Sequence, residues 1–292
     1  MLGLWLAGPV VRGPVGVGEV IMNIQGKCAI VTGAASGIGQ AVAFELAERG
    51  ARAVALVDRS EDVLKVARMI NDRMETPLAE AMIGDVTDEE FRRKTFDLMC
   101  TKYGPPAVCV PAAGITRDQL AVKVNKQTGK AEIYPIGNFR QVLEVNLVAP
   151  VYWAMELIAR IAEHRKAQGV GRWQPSEGIQ GTVIFIGSIS SSGIPGQVSY
   201  SSTKAALEGA AATLGKEAVY HGVRCAVIHP GFTDTPMVRA LGQEYIEKNI
   251  LPYTQLKRLI DPAEIADAIY FMICNSAVSG ELWADAGWHP QA

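Results

Sequence analysis

From Lys27 onward, short apolar runs alternate with stretches whose apolar residues recur at helical spacing. Residues 28–32 form an apolar run that closes on Gly33. Ile38, Val42, Phe44 and Leu46 then trace a helix that stops at Gly50. A second strand is expected over 53–57, followed by a helix that Ser60 can cap and that carries Val63, Leu64, Ala67 and Ile70. A third strand covers 79–83. Thr87 and Glu90 predict a capping box for the next helix, which runs toward Tyr103. A fourth strand covers 107–110, and a helix begins near Asn138. Two further strands, 182–186 and 225–228, enclose a helix over about 198–220. Asp261, Pro262 and Glu264 supply an N-cap, a proline at N1 and an acid at N3 for the last helix. A final strand is expected at 282–284.

Continuous apolar strands separated by helices predict an α/β fold with a doubly wound parallel sheet. The expected form is Rossmann-type, with about seven strands and helices on both faces. No Pro- or Gly-rich linker breaks the alternation, so one domain is expected over 23–292. Residues 1–22 are rich in Gly, Pro and Val and carry no period, so they read as an extension outside the core. Arg12 follows the apolar stretch instead of preceding it, unlike a signal peptide. Two stretches, about 114–137 and 165–180, exceed simple connections and are expected to build a pocket or a subunit contact.

Composition narrows the classes. The 292 residues are 49 % apolar and 20 % charged, an ordinary globular balance. Net charge is -2, so no basic excess points to nucleic acid or a membrane surface. No run of about 18 uninterrupted apolar residues is present, and no membrane partner is expected. Five cysteines, at 28, 100, 109, 225 and 274, are scattered, which favours reduced thiols in a cytoplasmic protein over a disulfide frame. No close-spaced ligand set appears, so no metal is expected.

Thr32 to Gly39 reads Thr-Gly-Ala-Ala-Ser-Gly-Ile-Gly between the first strand and the first helix. Gly33 permits the tight turn, Gly37 lets the backbone approach a pyrophosphate, and Gly39 lets the helix pack closely on the sheet. With Ser36 and Ile38, the helix end offers free N–H groups and a positive dipole to the anion. Asp58 closes the second strand, 19 residues beyond Gly39. A carboxylate there accepts from both ribose hydroxyls of NAD and repels a 2′-phosphate. Arg59 follows it and could soften that preference, so NAD is expected over NADP. Asp85, beside Val86 after the third strand, can accept from an adenine amino group or simply lead into the Thr87 cap.

Tyr200 and Lys204 lie four apart at a helix start, on one face. A nearby ammonium favours the phenolate of a group whose ordinary pKa is about 10, which makes the pair a candidate acid/base centre. Such a pair is also common on solvated surfaces.

Thr-Gly-Ala-Ala-Ser-Gly-Ile-Gly at 32–39, Asn146, Ser188, Tyr-Ser-Ser-Thr-Lys at 200–204 and Pro-Gly-Phe-Thr-Asp-Thr-Pro-Met at 230–237 occur in this order. Together they resemble the short-chain dehydrogenase/reductase family, in its shorter single-domain branch. The extended, sugar-epimerising branch has a different glycine pattern and a longer chain. The resemblance implies that Tyr200 passes a proton to or from the substrate oxygen. Lys204 would bind the nicotinamide ribose and depress the Tyr200 pKa. Ser188 would hydrogen-bond the reacting oxygen, with Ser190 in reserve, and Asn146 would hold a relay water. Ala112, Ala113 and Gly114 would border the cofactor. Pro230, Gly231, Thr233 and Thr235 would lie along the nicotinamide, with Thr235 on its carboxamide. Pro150, four residues past Asn146, has no N–H and is expected to free the Asn146 carbonyl for the relay. Pro111 stands where the family usually has Asn, which puts strand ties and adenine-side geometry in question.

The substrate is weakly encoded. Residues 113–118 resemble the 3-oxoacyl-thioester reductase branch. The two long stretches and Asp58 resemble the NAD-linked 3-hydroxyacyl-CoA dehydrogenase type II branch, which also accepts hydroxysteroids. The stretch 236–260 carries Met237, Val238, Leu241, Tyr245, Ile250, Leu251 and Tyr253, suited either to an acyl chain or ring system or to packing itself. Lys257 and Arg258 could attract a phosphorylated carrier or simply be solvated. The leading expectation is an NAD-dependent dehydrogenase of 3-hydroxyacyl thioesters or related apolar alcohols. Alternatives are an NADPH-dependent 3-oxoacyl-carrier reductase, a hydroxysteroid dehydrogenase, and a non-catalytic NAD-binding regulatory protein. The resemblance also implies a homotetramer or homodimer through the helices around 139–164 and 198–220. His164, His221, His229 and His289 are expected to be structural or on the surface.

Overall fold

The computed structural model describes residues 22–288. Residues 1–21, most of the expected extension, and His289 lie outside the described residues. Met22, read with the extension, is fully buried and packs in the core with Ile24.

The elements run β1 (Cys28–Thr32), α1 (Gly37–Glu48), β2 (Ala53–Asp58), α2 (Asp62–Met74), β3 (Ala79–Ile83), α3 (Glu89–Tyr103) and β4 (Val108–Pro111). A small hairpin follows, β5 (Val122–Val124) with β6 (Ala131–Ile133), then α4 (Ile136–Leu143) and α5 (Ala149–Ala167). The chain continues through β7 (Gly181–Ile186), α6 (Val198–Ala218), β8 (Val223–Pro230), α7 (Pro236–Arg239), α8 (Gln243–Asn249), α9 (Pro262–Cys274) and β9 (Gly280–Ala284). Seven strands form one sheet in the order β3-β2-β1-β4-β7-β8-β9, every pair parallel. This is the doubly wound Rossmann-type arrangement that the alternation predicts.

The apolar runs are continuous because both faces are covered. Ala29, Val31, Val54 and Leu56 point into one core, shared with Val42 and Leu46 of α1, Ile70 of α2 and Ile269 of α9. Their sequence neighbours Cys28, Ile30, Ala55 and Val57 point into the other, shared with Phe96 of α3, Trp153 and Leu157 of α5 and Leu207 of α6. All five cysteines are free thiols, and those at 28, 109 and 225 are buried.

Several local signals resolve differently from the sequence expectation. The cap of α3 is Asp88, whose carboxylate accepts from the N–H groups of Glu90 and Phe91. Thr87 is unavailable because Asp85 accepts from both its N–H and its hydroxyl, at 2.9 and 2.7 Å. The Asp261 box forms as expected, with Glu264 accepting from the Asp261 N–H at 2.8 Å. Pro111 is tolerated in a central strand because it ends β4. The β4–β7 ladder stops at Cys109, while Pro111 pairs only with Thr32 of β1. Between α4 and α5, residues Glu144–Val148 make a π-helical turn, in which the Ala149 N–H donates to the Glu144 carbonyl. Pro150 cannot supply the next donors, so the wide turn ends there.

The run Ile136–Ala167, with mean hydropathy 1.4, is long and apolar enough to cross a membrane by length and composition. In this fold its apolar side is a core face, carrying Trp153, Ala154, Leu157 and Ile161 onto the sheet.

Trp153 is fully buried, donates its indole N–H to the Val86 carbonyl at 2.9 Å, and meets Phe91 and Phe96 edge-on or tilted. Trp153→Ala is expected to destabilise the chain by about 3–5 kcal/mol. Denaturant unfolding measures this directly, and a loss below about 1 kcal/mol contradicts the packing described.

Candidate active site

The winding of the sheet reverses between β1 and β4. The helix after β1 lies on one face and the helices after β4 on the other, which opens a crevice beyond their carboxyl ends. Gly33 sits at that point with φ +67°, and a Cβ there would stand 2.8 Å from the Ala113 backbone. The Thr32 hydroxyl accepts from the Ala113 N–H at 3.1 Å, closing the same contact. Gly37, with φ +56°, opens α1, and a Cβ on it would meet the Thr235 methyl at 2.9 Å. A Cβ on Gly39 would stand 2.3 Å from the Gly33 carbonyl, so this glycine lets α1 pack on the end of β1.

Ser36 is the N-cap of α1, makes no side-chain cap, and no acid lies in the first turn. The first-turn N–H groups of Gly37, Ile38 and Gly39 have no acceptor within the helix, and no side chain in that turn neutralises its positive end. This cradle fits a pyrophosphate. Asp58, at the end of β2, accepts from the Ala35 N–H at 3.0 Å and the Ser60 N–H at 2.9 Å. Its carboxylate is thereby fixed beside the glycine turn and keeps further acceptor capacity. Asp85 and Val86 follow β3, two strands from β1. Asp85 accepts from Thr87 through one carboxylate oxygen, and the buried Val86 offers its carbonyl to Trp153.

Ser188 follows β7 and caps a short turn, its hydroxyl oxygen accepting from the Ser190 N–H at 3.0 Å. Ser190 is buried as well, and its backbone N–H is the donor to Ser188. Tyr200 and Lys204 lie in the first two turns of α6. The Lys204 ammonium donates to the Ile186 carbonyl at 2.7 Å and stands 5.4 Å from the centre of the Tyr200 ring. Burial pushes the Tyr200 phenol up to about 12, with a hydrogen bond from the Ser188 side chain pulling it down and the Asp118 charge adding to the rise. Burial also pushes Lys204 down to about 8. The depression of the phenol expected from Lys204 is not seen here: the one lowering influence is the Ser188 hydrogen bond, and desolvation outweighs it.

Asn146 is fully buried and clamps the backbone of Ile115, donating to its carbonyl at 2.8 Å and accepting from its N–H at 2.9 Å. Its side chain is committed to the chain after β4, and its own carbonyl lacks an α-helical donor because residue 150 is proline. Gly114 borders this group. A Cβ on it would lie 3.6 Å from the Asn146 amide oxygen and 4.0 Å from the Lys204 nitrogen. On the far side, the Gly231 N–H donates to the Ala284 carbonyl at 3.0 Å, placing Pro230 and Gly231 against the end of β9. The Thr233 hydroxyl donates to Gly231, and Thr235 caps α7.

Three contributors escaped the sequence reading. The hairpin in the 114–137 stretch is rooted on the start of α6. There the Tyr134 hydroxyl meets Ser199 at 2.9 Å and Gln197 donates to Asp118 at 2.7 Å. The backbone carbonyl of Ile186 holds Lys204, which no side-chain pattern reveals. His229, read as structural by default, is buried against the Ser188 backbone, and its place before Pro230-Gly231 was the available signal. Of the apolar residues in 236–260, Ile250 packs inward, whereas Met237, Leu241, Tyr245 and Tyr253 are exposed. Arg258 pairs with Glu264 through two 2.7 Å hydrogen bonds, so it serves the α9 cap.

The short chain dehydrogenase family profile matches residues 27–246, and the chain belongs to that family. It is an oxidoreductase of CH–OH groups that uses a nicotinamide cofactor. Among its relatives, the 3-oxoacyl-[acyl-carrier-protein] reductase of Vibrio cholerae is 28 % identical over 263 residues, covering 89 % of this chain and 96 % of the relative. The (3R)-3-hydroxyacyl-CoA dehydrogenase of Canis lupus familiaris is 30 % identical over 258 residues, covering 86 % and 90 %. The 3-oxoacyl-[acyl-carrier-protein] reductase of Pseudomonas aeruginosa is 30 % identical over 257 residues, covering 88 % and 93 %.

The buried lysine leaves a signature in stability. Folded Lys204 releases its proton near about 8, whereas its ordinary value is 10.5. Between these values the unfolded chain binds more protons, so stability rises with pH across this window. Denaturant unfolding should therefore show wild type gaining on Lys204→Met as pH rises from about 8 to about 10. A constant difference between the two proteins would contradict the burial effect.

Proposed function

We propose that the protein is an NAD-dependent dehydrogenase interconverting 3-hydroxyacyl and 3-oxoacyl thioesters. The observation that carries the reading is the convergence of Ser188, Tyr200 and Lys204 beside a glycine turn whose helix end fits a pyrophosphate. In this reading Gly33, Ser36, Gly37, Ile38 and Gly39 hold the pyrophosphate and Asp58 accepts from the ribose. Asp85, Val86, Ala112 and Ala113 border the adenosine. Gly114, Pro230, Gly231, Thr233 and Thr235 border the nicotinamide, which when bound supplies or takes up hydride.

The chain's own groups manage the proton. Ser188 and Tyr200 hold the substrate oxygen between their hydroxyls. In reduction, Tyr200 donates its proton to the oxygen as hydride reaches the carbon. The raised pKa keeps the phenol protonated at neutral pH, ready for this step. In oxidation Tyr200 takes the proton from the alcohol as phenolate, the form that burial disfavours and the Ser188 hydrogen bond supports. We assign the return path of the proton to the Asn146 carbonyl, which residue 150 cannot engage.

The substrate class draws on two observations. The relatives are a 3-oxoacyl-[acyl-carrier-protein] reductase and a (3R)-3-hydroxyacyl-CoA dehydrogenase, both acting on acyl groups at carbon 3. Met237, Leu241, Tyr245 and Tyr253 also present apolar surface in the stretch that follows Thr235. Asp58 supports NAD, because a 2′-phosphate would meet its carboxylate. The second reading, an NADPH-dependent 3-oxoacyl-carrier reductase, is favoured by the reductase names among the relatives. A hydroxysteroid would use the same apolar surface. Assembly as a homodimer or homotetramer is proposed through α5 and α6. Met155, Ile158, Ala162 and Leu214 line a groove of about 290 Å³ between these helices, and Ala206, Gly209 and Ala212 leave the α6 surface open to close approach.

Oxidation of a panel of 3-hydroxyacyl-CoAs, hydroxysteroids and simple secondary alcohols, each with NAD and NADP, tests the reading. The expected result is highest kcat/KM for a 3-hydroxyacyl-CoA with NAD. Asp58→Asn, which keeps a hydrogen-bond acceptor and removes the charge, should shift the ratio toward NADP by about tenfold or more. A wild-type preference for NADP that Asp58→Asn leaves unchanged would support the reductase reading instead.

A further inference from the structure

His229 ends β8 one residue before the chain turns at Pro230 and Gly231, and it is completely buried. Gly187 makes room for it, since a Cβ there would stand 2.6 Å from the ring Nδ1. The ring stacks on Trp283 of β9 at 4.3 Å between centres, with planes 13° apart. Nδ1 faces Ser188, where by tautomer it either accepts from the Ser188 N–H at 3.3 Å or donates to the Ser188 carbonyl at 3.2 Å. Nε2 faces the other way. It is buried, makes no hydrogen bond, and lies 3.3 Å from the Glu281 carboxylate and 3.8 Å from that of Glu208.

Two costs meet at this point. A buried ring nitrogen without a partner forfeits its hydration. Two carboxylates within 4.8 Å of one another repel. A cation bound between the three groups relieves both. We propose that Glu208, His229 and Glu281 form a divalent-metal site that takes zinc, separate from the dinucleotide crevice.

The chemistry and spacing of the donors suit that ion. One imidazole nitrogen with carboxylate oxygens is a zinc donor set, whereas magnesium and calcium prefer oxygen alone. Ligands about 2.0–2.1 Å from a tetrahedral zinc stand about 3.3 Å apart. The 3.3 Å His229–Glu281 separation matches this edge, and Glu208 needs a small side-chain adjustment from 3.8 Å. The Glu208 and Glu281 side chains are 33 % and 41 % exposed, so water can reach the fourth position. A metal-ligating histidine commonly donates its other ring N–H to a backbone carbonyl, and here the Ser188 carbonyl lies beside Nδ1.

That last contact gives the site a consequence. With Nε2 on the metal, the ring carries its proton on Nδ1, gives up the bond from the Ser188 N–H and donates to the Ser188 carbonyl. The ion therefore fixes the backbone from which the Ser188 hydroxyl projects, and His229 is a positioning residue. The donors come from α6, β8 and β9, 21 and 52 residues apart along the chain, so no close ligand spacing marks them.

The test is calorimetric titration of the full chain with zinc chloride after chelator treatment, and it does not depend on the proposed reaction. One zinc per chain is expected, with affinity lowered about tenfold or more in both Glu208→Gln and Glu281→Gln. Both carboxylates are solvent-accessible, so these variants should fold, which far-UV circular dichroism checks. Zinc should also raise the Tm of wild type and leave that of the double variant unchanged. Absence of zinc binding by wild type, or wild-type affinity retained in either variant, would overturn the proposal and leave His229 as a packed imidazole facing two carboxylates.

Discussion

Where β1 gives way to α1, the backbone of Gly33 lies against that of Ala113, too close for any side chain to intervene. The Thr32 hydroxyl locks the contact by accepting from Ala113. Much of the site follows from this approach. It holds the ends of β1 and β4 together at the reversal point of the sheet, so the helix end at Gly37 and the chain after β4 share one crevice. Asn146 extends the clamp by holding Ile115 at both its N–H and its carbonyl. Gly114 is thereby kept beside Lys204, with no side chain between them. The anion site needs no basic surface, which agrees with a net charge of -2.

Burial then sets the proton chemistry. Desolvation alone disfavours phenolate at Tyr200 and ammonium at Lys204, so both pKa values move toward the neutral forms. The hydrogen bond from Ser188 opposes the first shift, and the Asp118 charge reinforces it. Asp118 belongs to the long stretch after β4, which reaches the start of α6 through Gln197 and through Tyr134 on Ser199. A segment that resembles a surface insertion thus contributes to the electrostatics of the tyrosine and braces the helix that carries it.

The strands, the glycine turn and the Asp261 cap were legible because each rests on a short-range pattern: an apolar run, a Gly spacing, an acid three residues from its cap. Elements set by competition between neighbours were not. Thr87 and Asp88 both suit an N-cap, and Asp85 decides between them by engaging Thr87. The π turn before Pro150 carries no apolar or capping pattern of its own, and the exposed hairpin at 122–133 has too little burial to impose alternation. Pro111 seemed to threaten a central strand, yet the register ends the β7 ladder before reaching it. The surroundings of Lys204 and His229 are three-dimensional. One is held by the Ile186 carbonyl, and the other sits between carboxylates of two distant elements.

The central claim is that Tyr200 moves the proton while the glycine turn independently holds the dinucleotide. Turnover and NAD affinity measured side by side on Tyr200→Phe test it most directly, because only the hydroxyl is removed. The account predicts NAD affinity close to that of wild type and turnover lower by about 10²–10⁴-fold. Turnover within a few-fold of wild type on every substrate accepted would contradict it.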